Sequence, residues 1–113
     1  MAYKSEEQIK DNKWKLIGTY TGATNVSLPS EYSEIMITFF NGRGSNYDNF
    51  VQIIPKEVLS SSSKSFLITS TIPAQSYNAY IQYTISLTSF QVNTSAYGGQ
   101  SHIAGLETQV FYR

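Results

Sequence analysis

Few side chains in this sequence can do covalent chemistry, and those few are scattered. His102 is the sole histidine, with Ser101 beside it. A nucleophilic serine also needs an acid to orient the imidazole and donors for the oxyanion. No Gly-x-Ser-x-Gly elbow frames the pair, and YGGQSHIAG (97–105) has the composition of a flexible hairpin tip. Paired carboxylates for glycoside hydrolysis must stand roughly 5–9.5 Å apart. Glu31 and Glu34 flank the start of one strand and Glu57 sits in a connector, so only Asp48 and Glu107 are placed for a shared site.

Metal and cofactor chemistry fares no better. With no cysteine there is no thiolate zinc site, cysteine nucleophile or disulfide framework. NGRGSNYDN (41–49) offers calcium donors in Asn46, Asp48 and Asn49, but lacks the spaced acids and bidentate glutamate of a calcium loop. Its Gly-x-Gly is not followed by the Lys-Ser/Thr pair and helix of a phosphate cradle. The sequence therefore predicts no enzyme, no metal and no cofactor. Recognition suits the same residues better. Arg43 and Tyr47, with Asp48 beside them, are of types enriched at binding hot spots and sit on a glycine-rich loop. Tyr77, Tyr97 and Gln100 form a second polar-aromatic group, whose flat rings and amide suit the faces and hydroxyls of sugars.

What must hold these loops is a sheet. In NAYIQYTISL (78–87), Ala79, Ile81, Tyr83, Ile85 and Leu87 share one parity, while Tyr80, Gln82, Thr84 and Ser86 share the other. This is the period of a half-buried strand. WKLIGTY places Trp14, Leu16 and Tyr20 on one face, with Gly18 marking a bend or bulge. EIMITFF (34–40) is apolar on both parities, so it is either a central strand covered on both sides or lies at a contact between copies. Met36, Phe40 and the outward Tyr80 are the candidates for such a contact. FVQII stops at Pro55, a helical turn is possible over 55–59, and SFLITSTI closes at Pro73. No long segment has the 3.6-residue period of a helix.

Seven to eight strands separated by turn residues predict an all-β fold, an antiparallel sandwich with jelly-roll-like topology. Residues 14–113 make one domain behind a polar lead-in, 1–13, in which Ser5 and Gln8 have the form of a capping box for a short helix. Eight basic and eight acidic residues give no net charge, which argues against nucleic acid or an anionic membrane as partner. Charged residues are only 14% of the chain, against roughly 25% in ordinary globular domains. There is no apolar run of membrane-spanning length and no secretory leader, so a soluble chain is expected.

WKLIGTYTGATNVSLPSEYSEI (14–35) resembles the opening of a small domain found at the C-termini of bacteriophage and prophage tail-fibre or baseplate proteins. IIPKEVLSSSSKSF (53–66) and the terminal VFYR (110–113) resemble later segments of that family in the same order. The resemblance implies a β-sandwich at the distal end of a virion fibre, a homo-oligomer with a trimer favoured. Its implied role is adhesion to a host-surface glycan or protein. Two other roles fit the residues: a stand-alone carbohydrate-binding module, and a purely structural virion part without a receptor.

Overall fold

A computed structural model of the chain describes residues 13–41, 49–71, 78–97 and 100–113. Nine strands are found among them: β1 (Lys15–Thr21), β2 (Thr24–Ser27), β3 (Glu34–Asn41), β4 (Phe50–Pro55), β5 (Lys64–Thr71), β6 (Asn78–Ile85), β7 (Ser89–Tyr97), β8 (Gln100–Ser101) and β9 (Leu106–Tyr112). The count exceeds the expected seven to eight because the Tyr97–Gln100 pairing adds the two-residue β8. Lys56–Val58 form the single 3-10 turn expected after β4.

The strands make two antiparallel sheets. Sheet A has the order β1-β9-β3-β4, and sheet B has β2-β7-β6-β5, with β8 against β7. Because β1 pairs β9 in one sheet and β2 pairs β7 in the other, the two ends of the chain wrap around each other as in a jelly roll. The interior departs from that plan: β3–β4 stay together as a hairpin and β5–β6–β7 run as a meander.

Period-two burial builds the core. Ile35, Ile37 and Phe39 of β3 face Ile81, Tyr83 and Ile85 of β6 and Phe90 and Val92 of β7 in one apolar cluster. Leu106 and Val110 join from β9, and Val26 from β2. The expected alternation of 78–87 holds through Ile85, but the strand stops there. Ser86 is buried and turns the chain: its Oγ accepts from the Thr88 and Ser89 amides at 3.3 and 3.2 Å, and its own amide donates to the Ser89 carbonyl at 2.8 Å. Serine's local hydrogen bonding overrides the alternation at that point.

The face expected for Leu16 is corrected. β1 pairs Leu16 with Phe111 and then Gly18 with Val110, leaving Ile17 as an extra residue. This bulge switches the phase, so Ile17 packs on the core and Leu16 points outward. Gly18 beside it leaves room for the Tyr20 ring, since a Cβ there would stand 2.5 Å from the Tyr20 hydroxyl oxygen and the ring would have to shift. The β1–β2 turn depends on Gly22, which holds a φ of 79° while its amide donates to the Leu106 carbonyl at 2.8 Å.

Candidate binding surfaces

Strand directions sort the connections by end. β1, β3, β5 and β7 run toward one end of the sandwich, where β2, β4, β6 and β9 begin. β3, β5 and β7 therefore end, and β4, β6 and β8 begin, at that end, together with Gly22 and residues 102–105. Trp14 and Arg113 lie at the other end. There the Arg113 guanidinium stacks on the Trp14 ring at 4.2 Å and its Nε donates to Glu34 at 2.8 Å.

This arrangement bears directly on the residues singled out in the sequence. Arg43, Tyr47, Asp48 and Tyr77 lie outside the described residues. Tyr97 and Gln100 are brought opposite one another by β7–β8 pairing, so their grouping rests on a backbone register; their side chains are outside the description. His102 is half-buried at the same end, held through its backbone: its amide donates to the Ser95 carbonyl at 2.8 Å and its carbonyl accepts from Gly105 at 3.2 Å. Glu31, Glu34 and Glu57 are at the opposite end from His102. No three of His, Asp and Glu gather to hold a metal among the described residues.

Met36 and Phe40 share the outer face of sheet A, whereas Tyr80 projects from sheet B, so these three do not form one patch. The register lays out the sheet A face in rows. Leu16, Phe111, Met36 and Ile53 form a row across all four strands. Toward the loop end comes a row of Thr19, Gln109, Thr38 and Val51, then Thr21, Glu107 and Phe40. Toward the other end, Trp14, Arg113, Glu34 and Pro55 complete the grid. The apolar members are open: Leu16 is 53% exposed, Ile53 52%, Val51 56% and Phe40 41%. The outer face of sheet B is instead a field of hydroxyls and amides, including Ser65, Thr69, Gln82, Thr84, Gln91 and Asn93. Among the described residues only Leu67 interrupts it as a strongly exposed large aliphatic, at 63%.

A third feature has no local signature in the chain, because four separated segments build it. At the end bearing Trp14, a shallow cleft of about 490 Å³ runs between Lys15, Tyr32, Lys56, Tyr112 and Arg113. Lys56 Nζ stands 4.6 Å from the centre of the Tyr32 ring, and Lys15 Nζ 5.9 Å from that of Tyr112. The Tyr32 hydroxyl donates to the Leu87 carbonyl at 2.7 Å, and burial raises its pKa above the ordinary tyrosine value. The cations are thus stacked on rings, and Arg113 is also paired with Glu34.

One buried group stands apart. Thr108, on the inner face of β9, is fully buried, and its Oγ1 has no hydrogen-bond partner among the described residues. An unmatched buried hydroxyl costs about 1–3 kcal/mol. Thr108→Val keeps the shape and removes the hydroxyl, so chemical denaturation is expected to show a gain of about 1 kcal/mol. A loss of stability would mean that the hydroxyl is satisfied.

Comparison with known proteins found no matching family model, no matching curated protein and no matching solved structure.

Proposed function

We propose that the chain is a phage or prophage virion domain, of tail-fibre or baseplate type, that works by contact and presents its loop end to a host surface. The observation that carries this reading is the polarity of the sandwich. β3, β5 and β7 end and β4, β6 and β8 begin at one end, and Trp14 and Arg113 meet at the other. A support attached at the Trp14 end leaves the loop end free to touch another surface. Loops fixed on a rigid sheet scaffold are a common way to build a binding site. The resemblance of 14–35, 53–66 and 110–113 to tail-fibre terminal domains supports the same role.

The test is labelling of bacterial cells from a broad panel with the fluorescent full chain. Saturable binding is expected on at least one strain, and Arg43→Ala with Tyr47→Ala should weaken it on the order of 10–100-fold. Competition by free saccharide, together with loss of binding in Tyr97→Ala, would identify a glycan receptor. Failure to label any strain would leave the domain a structural virion part without a receptor.

A further inference from the structure

We infer that the outer face of sheet A is an interface between two copies of this chain, which stack these faces about a two-fold axis. β3 is the starting point. It is a central strand, yet sheet B covers only its inner face, and among the described residues no layer covers the side that carries Met36 and Phe40. Around them, Leu16, Val51, Ile53 and Phe111 extend the apolar surface over all four strands. The charge within it is sparse: Arg113 is paired with Glu34, leaving Glu107 near the loop end. Apolar side chains with few net charges are what the buried centre of an interface requires.

The dimensions suit a second copy. Four strands about 4.8 Å apart and four rows about 6.8 Å apart give roughly 500 Å² of sheet plane per chain. Two faces bury about 1,000 Å² even when counted as flat, which reaches the floor for a specific interface. Face-to-face stacking of sheets at about 10 Å is also how this protein builds its own core.

Geometry selects a pair over the three-fold assembly that the family resemblance implies. A closed ring joins two different patches inclined to each other. The two outer faces of this sandwich point in opposite directions, and the sheet B face is polar. Joining face A to face B would give an open stack, whereas face A against face A closes with two copies.

Sedimentation equilibrium of the full chain, from about 5 to 500 micromolar, is expected to show twice the chain mass at the upper concentrations. Ile53→Glu places one carboxylate per copy in the seam and should weaken association on the order of 100-fold, with the circular dichroism spectrum unchanged. Val51→Lys probes the same face should Ile53→Glu fail to fold. Leu67→Glu, on the sheet B face, should leave the dimer intact. A monomer throughout, a trimer, a dimer indifferent to both sheet A variants, or one dissolved by Leu67→Glu would each overturn the pairing. Pairing through sheet A is independent of what the loop end binds: a monomer that labels cells removes only the pairing, and a dimer that labels none removes only the adhesion.

Discussion

Replacing Phe39 by alanine is expected to lower the stability of the fold by about 3–5 kcal/mol and its melting temperature by roughly 15–30 °C. The reason is where the ring sits. Phe39 is fully buried on β3 and approaches Tyr83 at 5.6 Å and Phe90 at 6.4 Å between ring centroids. Tyr83 in turn stacks on Phe66 at 5.4 Å and meets Phe90 at 5.6 Å. Tyr83, Phe90 and Phe66 belong to sheet B, so in this aromatic cluster Phe39 supplies the contact from sheet A. Truncation leaves a cavity that a packed core closes only in part. Single domains are stable by only about 5–15 kcal/mol, so the loss is a large share of the whole. Phe40→Ala is the matched control, removing an equal ring from the exposed side of the same strand. Thermal melts should separate the two variants; equal effects would mean that the core is not where β3 places it.

The second large effect is a loss of stability in alkali. Burial raises the Tyr83 phenol from its ordinary 10.0 to about 12. A folded-state pKa raised above the unfolded value means that the folded chain holds the proton more tightly. The associated stabilisation is fully present below about pH 10 and is lost as pH rises through about 12. The difference corresponds to about 2–3 kcal/mol. Denaturant titrations at a series of pH values should show stability falling through that window. Tyr83→Phe keeps the ring contacts and removes the ionisable group, so most of the decline should vanish. An unchanged decline in Tyr83→Phe would assign it to other tyrosines, of which Tyr32 is also shifted upward by burial.

Much of this fold was legible because burial imposes a period of two wherever a strand is regular. Ile81, Tyr83 and Ile85 are inside, β4 ends at Pro55, and one helical turn follows it, all as the residue types indicate. Alternation fails where the register does. Leu16 and Ile17 have nearly the same composition and hydropathy, and only the bulge beside Gly18 decides which goes in. A second irregularity, which leaves Asn93 unpaired between Val92 and Thr94, has no comparable glycine marker. The two apolar parities of β3 were readable, but not which of them sheet B would cover, since that depends on pairings more than 50 residues apart in sequence. For the same reason Met36 and Tyr80, both outward, fall on opposite sides of the molecule. The Tyr32–Lys56 and Trp14–Arg113 stacks likewise join segments with no local pattern in common.

The position of β9 has a consequence for how the chain reaches this state. It lies between β1 and β3, which do not pair with each other, so the first and third strands have no common sheet until the final one is inserted between them. The β5–β6–β7 meander closes only short loops and can nucleate by itself, whereas β1 and β3 wait on a partner 65 to 97 residues away. Such long closures place folding toward the slow end for small domains, in milliseconds to seconds. In that interval the apolar edges of β1 and β3 stand open, and the seven residues Leu106–Tyr112 act as the keystone whose arrival commits the whole layer at once.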